Sequence, residues 1–336
     1  MVTHQKSLDS IETLAGSLSA RDLGLLSSDS VQKKIERFSR LRDRSRLHLH
    51  YINHLLDTDK DFQLGGFASH RDRLRDCGLF ITLHNYYVLG QIHVAKARFC
   101  KSHIICPLCA YLRACRATKA YWEKYQVIKS QSPELQPYLL TYTVKNGPDF
   151  LERFNHLRDS LKKLNQARRD SLRGQYHTSQ LAYFSGGVYS IEFTKSSHGW
   201  HPHIHYLVLG NPDNLPDFPI GSKSGDLKKQ SLLSQEWARC SGDSFICDLR
   251  PITGIDGFCE VFKYALKYSS LQVPDTFHAW LNLRGNRLMG SFGCFRGVEV
   301  PEYIDYQLLD SPYVELNYKY HDFDGYHLQS YLIPGS

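Results

Sequence analysis

A chain of 336 residues is too long for one ordinary core and predicts about two domains. Its 42% hydrophobic content excludes wholesale disorder, and apolar runs such as 138–140 and 206–209 fall far short of the roughly 18 residues of a membrane span. The net charge is +7, but from Gly297 onward seven acids face the single base Lys319; that tail of −6 leaves +13 for the rest, which suits a polyanionic partner such as nucleic acid.

The first twenty residues carry no basic-then-apolar pattern, so a soluble, cytoplasmic protein with no membrane role is expected. Nine cysteines without an export pattern point to reduced thiols or metal ligands rather than to a disulfide framework. Residues 1–30 are Ser-rich and weakly patterned. Across 31–56, Lys33, Lys34, Arg37, Arg40, Arg42, Arg44 and Arg46 are interleaved with Ile35, Phe38, Leu41, Leu47 and Leu49. That is a basic helix, either contacting DNA or merely solvated. A cysteine-dense segment follows at 77–115.

Residues 138–144 alternate like a strand and stop at Asn146-Gly-Pro. Phe150, Phe154, Leu157, Leu161 and Leu164 then recur every three or four residues, an amphipathic helix of about four or five turns. Strands are predicted at 188–194 and 203–209, joined by a turn at 196–199. A helix at 227–240, a strand at 245–251 and a helix at 258–270 complete the pattern. The order strand, helix, strand, strand, helix, strand is the split βαβ arrangement of ferredoxin-like folds, an α+β class with an antiparallel sheet, here with one extra helix. The segment from Pro301 is acidic and Tyr-rich, and its pattern does not reveal what it packs on.

Two of these elements carry chemistry. In Trp200-His-Pro-His-Ile-His, successive strand side chains alternate faces, so His203 and His205 project together and Ile204 points inward. Two imidazoles about 7 Å apart along one face can close on one divalent ion. His201 has the same parity, but Pro202 is expected to start the strand late. Glu192, on the neighbouring strand, could complete the set; it could also be merely solvated, and the histidines could merely hydrogen-bond. In Glu260-Val-Phe-Lys-Tyr-Ala-Leu-Lys, helical spacing puts Glu260, Tyr264 and Lys267 on one face and Phe258, Val261, Phe262 and Ala265 on the other. A phenol with a pKa near 10 is a poor nucleophile, but a nearby ammonium or metal favours the phenolate and allows attack on phosphorus. An ordinary amphipathic helix with a surface tyrosine has the same spacing.

Three blocks, Leu139-Leu-Thr-Tyr-Thr-Val-Lys-Asn, Gly199-Trp-His-Pro-His-Ile-His-Tyr-Leu-Val and Glu260-Val-Phe-Lys-Tyr-Ala-Leu-Lys, stand in the order found in the rolling-circle replication initiators of small plasmids. The chain resembles that single-tyrosine class of the HUH endonuclease superfamily over about residues 70–300. The resemblance implies a site-specific nickase in which His203 and His205 hold Mg²⁺ or Mn²⁺, with Glu192 as a candidate third ligand. It further implies that Tyr264 becomes joined to the 5′ phosphate and that Lys267 orients or stabilises charge. Glu260, where two-tyrosine relatives carry a second Tyr, would activate water to end the reaction; Tyr268, four residues beyond Tyr264, is a rival second nucleophile. The implied partners are single-stranded or cruciform origin DNA, a host DNA polymerase and a separate helicase, since no Gly-x4-Gly-Lys phosphate loop occurs. A homodimer on the DNA is compatible with the class. A rolling-circle transposase or mobilisation relaxase would share the chemistry, and a zinc-dependent DNA-binding protein would lack it.

The cysteine block, Cys100-Lys-Ser-His-Ile-Ile-Cys-Pro-Leu-Cys, holds a C-x2-C knuckle with a third Cys six residues before it. Cys77 is the best fourth ligand for Zn²⁺ beside Cys100, Cys106 and Cys109, and the resembling initiators often have a Cys-Gly about there. His103 and Cys115 are reserves, while Cys240, Cys247, Cys259 and Cys294 read as core residues. The resulting division is a basic, partly helical region at 1–70, a zinc-binding module at 71–130, a nicking and joining domain at 131–275 and a C-terminal extension at 276–336.

Overall fold

The computed structural model describes residues 29–59, 62, 67–175, 178–215, 231–262, 265–266, 268, 271–300 and 311–334. In chain order these form α1 (Asp29–Thr58), α2 (Ala68–Asp76), β1 (Phe80–Tyr86), β2 (Gln91–Ala97), α3 (Pro107–Gln131), β3 (Gln136–Thr143), α4 (Phe150–Leu172), β4 (Gly186–Ser196) and β5 (Gly199–Gly210). They continue with α5 (Leu232–Ser241), β6 (Cys247–Pro251), α6 (Gly254–Val261), α7 (Val273–Leu283), β7 (Met289–Gly293), β8 (Val314–His321) and β9 (Gly325–Leu332). The protein is mixed α+β with antiparallel sheets. Two compact units divide the chain, one drawn from Met1–Ala110 with Glu302–Ser336, the other from Tyr111–Pro301. No described helix is long and apolar enough to cross a membrane.

In the first unit, the described part of the acidic tyrosine-rich tail, 311–334, contains a β-hairpin. β8 pairs antiparallel with β1, Leu83 opposite Leu316, and the sheet order is β2-β1-β8-β9. Alternation explains the faces: Ile81, Leu83, Leu316 and Tyr320 are buried, while Phe80, Thr82 and His84 lie on the other side. On α1, Val31, Ile35, Phe38, Arg42, Ser45, Leu49 and Ile52 are buried at steps of three and four, a single stripe along the helix. Arg42 therefore belongs to the interior rather than to the basic outer face. Its guanidinium donates to the carbonyls of Leu74, at 2.7 Å, and Arg75, and it stacks over Tyr320. Both carbonyls lie in the last turn of α2, where helix carbonyls lack full intrahelical partners; that of Leu74 also accepts the Cys77 N–H at 3.3 Å. Arg46 pairs with Asp322 of the tail, so part of the basic helix and part of the acidic tail neutralise each other.

In the second unit the sheet order is β6-β3-β5-β4-β7, every neighbouring pair antiparallel. β3 and β4 therefore run parallel with β5 between them, linked by α4, and β5 and β6 run parallel with β3 between them, linked by α5. Asp149 caps α4 by accepting the Glu152 N–H at 2.7 Å, and Ser231 caps α5 in the same way at 3.2 Å. One face of the sheet is aromatic: Phe193 packs on Phe150 and Phe154 of α4, and Tyr142 stacks on Trp237 of α5. Across the opposite face, Val188, Leu207 and Leu209 are covered by Phe258, Val261 and Phe262, with Tyr125 and Ile128 of α3.

Three expectations change. β5 begins at Gly199 and runs through Pro202. Pro202 is opposite Phe193, whose N–H goes to Ala265 instead of β5, so this pair exchanges no ladder bonds and the missing proline donor costs nothing. The helix read at 258–270 is instead α6, ending at Val261. Beyond it Leu266 forms a parallel bridge with Phe193, so the edge of β4 captures a segment whose spacing had looked helical. Cys259 is exposed on α6 rather than in the core.

Candidate functional site

Cys77, Cys100, Cys106 and Cys109 converge as read from the spacing, with all four sulfurs within 4.8 Å of one another and all four residues buried. Cys77 Sγ lies 3.6 Å from both Cys106 Sγ and Cys109 Sγ, and Cys100 Sγ lies 3.5 Å from Cys109 Sγ. A tetrahedral zinc with sulfurs at about 2.3 Å needs sulfur spacings of about 3.8 Å, so the cluster can bind a structural metal such as zinc with almost no rearrangement.

Local structure builds this cluster. Cys77 ends α2, whose final carbonyls Arg42 holds. Gly78 then turns with φ +64°; a Cβ there would meet Leu108 Cδ2 at 2.6 Å, so both conformation and space require glycine. Cys106 and Cys109 flank the start of α3, where Pro107 suits the first turn and the positive helix end favours thiolates. Ser45 Oγ approaches Cys106 Sγ at 3.5 Å, and His48 Nδ1 donates to the Ile105 carbonyl at 2.7 Å. Burial pushes His48 down to about 4, so this imidazole is neutral. Desolvation opposes ionisation of Cys106, yet hydrogen bonds from its sister thiols draw it well below the usual thiol value. Cys77 and Cys100 are pushed the other way, first by hydrogen bonds to the same sulfurs. Four crowded thiols cannot all ionise without a cation to balance them.

The histidine strand presents a different kind of site. His203 and His205 stand on one face with parallel rings 5.8 Å apart, and His201 joins the row with its ring 4.2 Å from that of His203. Glu192 sits opposite His203 in register, and its carboxylate accepts from His205 Nε2 at 3.0 Å. Thr141, opposite His205 on β3, places Oγ1 3.2 Å from His205 Nδ1; Thr194 Oγ1 is 3.4 Å from His203 Nε2. Burial pushes His201 below the ordinary imidazole value. Two or three imidazoles beside one carboxylate are a donor set that suits a divalent cation. Neither threonine stands out in the sequence, although Thr141 shares the parity of His205 across the β3–β5 pairing, which is the signal that could have found it.

Glu260 is exposed at the last turn of α6. Tyr264 and Lys267 lie outside the described residues. Their described neighbours are fixed along β4: the Val261 carbonyl accepts from Ser190 Oγ, and the Ala265 carbonyl accepts from the Phe193 N–H at 2.8 Å. Glu192 lies between those two anchor points on the same strand. Tyr268 is buried at 7% exposure and donates its N–H to the Leu266 carbonyl.

A family described as Replication protein (Rep_1) matches residues 91–302, more than half of the chain. The protein belongs to this replication protein family, which is consistent with a plasmid rolling-circle replication initiator. No curated protein and no solved structure matched the chain.

Proposed function

We propose that the protein is a site-specific, metal-dependent DNA nickase and strand transferase that opens a plasmid origin for rolling-circle replication. The observation that carries this reading is the spacing along β4: Val261 and Ala265, three residues before and one residue after Tyr264, are tied to Ser190 and Phe193, either side of Glu192. The order β6-β3-β5-β4 and its two split βαβ units support a ferredoxin-like, HUH-type core within 131–275, to which β7 at Met289–Gly293 adds an edge strand from outside that range.

In this reading His203 and His205, with Glu192, would hold Mg²⁺ or Mn²⁺. The bound ion supplies Lewis-acid polarisation of the scissile phosphate. Tyr264 Oη attacks phosphorus, the bond to the 3′ oxygen breaks, and that oxygen leaves as a hydroxyl for a polymerase to extend. The phosphotyrosyl ester conserves the linkage energy, so rejoining needs no nucleotide. Lys267 balances charge on the reacting oxygens. Glu260 serves as the general base for a terminating water. The burial of Tyr268 favours Glu260 over a second tyrosine in that role. The zinc module around Cys77, Cys100, Cys106 and Cys109 is structural.

The test is incubation with a supercoiled plasmid carrying the cognate origin, with Mn²⁺ and with chelator, followed by peptide mapping of the DNA-linked residue. Relaxed product with an adduct at Tyr264, absent in Tyr264→Phe while DNA binding persists, is expected. Binding without relaxation under every metal condition would leave a zinc-dependent DNA-binding protein; an adduct at Tyr268 would overturn the nucleophile assignment.

A further inference from the structure

The outer face of the β2-β1-β8-β9 sheet has an unusual composition. Alternation places Phe80, Thr82, His84 and Tyr86 of β1 on it, opposite Lys319, Asn317 and Glu315 of β8 and Lys96 and His93 of β2. Phe80 is 58% exposed, and Lys319 Nζ lies 5.7 Å above its ring. Four further rings form a pile beside it: His84 stacks on Tyr313 at 4.1 Å, Tyr86 lies 5.2 Å from Tyr313, and His93 meets Tyr86 edge-on at 5.6 Å. A groove along Phe80 and Thr82 is bordered by Lys96 and Arg98. Among the described residues, no carboxylate pairs with Lys96 or Lys319, whereas Arg98 shares Asp76 at 3.4 Å and Glu315 is taken by His84 at 3.3 Å.

A soluble sheet normally leaves such a face polar, because an exposed ring such as Phe80 gains nothing from water. Flat rings interleaved with cations are instead the arrangement that accepts unpaired bases: each base has a π-face for stacking, and the ammonium groups neutralise successive phosphates. An acidic protein segment would meet the two lysines but leave the flat rings unused, whereas single-stranded DNA engages both. We infer that this face binds single-stranded DNA, with bases stacked on Phe80 and on the His84–Tyr313 pile and phosphates met by Lys96 and Lys319. The inference rests on the DNA-nicking reading for its partner class, but it concerns a surface distinct from the histidine strand.

The test uses the full chain carrying Tyr264→Phe, in chelator, so that binding is read without cleavage. The probes are a dye-labelled oligo-dT and a duplex of the same length. Phe80→Ala should weaken oligo-dT binding about tenfold and leave duplex binding nearly unchanged, while Phe80→Trp restores it. Lys96→Gln with Lys319→Gln should lower the salt dependence of log affinity by about 1.4, two phosphates on a single strand. Unchanged oligo-dT affinity in both Phe80→Ala and Tyr313→Ala chains overturns the inference. So does loss of self-association in place of DNA binding, which would make the face a protein interface. Cleavage assays on the Tyr264-containing chain report separately on the nicking reading.

Discussion

The cysteine cluster and the histidine strand both gather residue types that ligate metals, yet the chain treats them in opposite ways; among the described residues only the four cysteines form a converged group. Four thiols sit in a dry interior, brought to zinc spacing by packing from α1, α2 and the start of α3. The imidazoles stand on a half-buried face of the sheet, held by a carboxylate and two threonine hydroxyls. Burial removes water that would compete for a cation and makes metal part of folding; a partly open face leaves room for a phosphate. Under the proposed function, this contrast predicts that the first site stays loaded with metal and that the second exchanges its ligands.

The strongest way to break this contrast is to disarm the dry site. Cys106→Ser leaves three thiols around a cation and should remove the metal and destabilise the first unit by about 5 kcal/mol or more. Elemental analysis is expected to give about one zinc per parent chain and none in the variant, together with loss of a cooperative melt. A metal-free parent that melts normally would show that packing alone holds the cluster.

His48 offers a gentler lever on the same region. Its folded pKa of about 4 lies below the unfolded value of 6.5, so the unfolded chain binds the extra proton first. Stability is therefore complete above about 6.5 and falls as pH drops toward 4, by about 3 kcal/mol across that window. His48→Asn keeps a donor for the Ile105 carbonyl but cannot titrate. Its denaturation midpoint, followed from pH 7.5 to 4.5, should decline less than that of the parent; identical slopes would assign the acid sensitivity elsewhere.

How much of this contrast is legible in the sequence follows from range. Cys100, Cys106 and Cys109 are close in sequence, and His203 and His205 share a face by strand parity alone, so local spacing already groups the ligands of each site. The β3-to-β6 pattern is legible because each element announces itself within a dozen residues. The pairing of β1 with β8 joins segments more than two hundred residues apart, and no local signal in the tyrosine-rich tail specifies it. Arg42 shows a second limit: its place on the buried stripe of α1 is visible in the spacing, but its charge makes it read as surface. At 258–270, helical periodicity is real in composition and loses to an edge of β4 that needs a partner.

The open site is probed next by Glu192→Gln, which keeps an oxygen near His205 but removes the anionic ligand. Mn²⁺ affinity, measured by titration with binding rather than cleavage as the readout, should fall about 100-fold, with little change in melting temperature. A large stability loss with unchanged metal affinity would place Glu192 among structural groups.

The smallest effect sharpens the comparison most. Thr141→Val preserves the branched shape on β3 and deletes the hydroxyl 3.2 Å from His205 Nδ1. If that hydroxyl fixes the tautomer and ring orientation of His205, Mn²⁺ affinity should fall about tenfold, while the nicking rate at saturating Mn²⁺ stays within a factor of two. The dry cluster should be less sensitive to any one such change, because close packing holds its ligands alongside several contacts, among them Cys100 N–H to Cys77 Sγ at 3.3 Å and Ser45 Oγ to Cys106 Sγ at 3.5 Å. A drop in rate that saturating metal does not repair would mean that Thr141 contacts the DNA, and the division between a packed site and a hydrogen-bonded one would then have to be redrawn around the substrate.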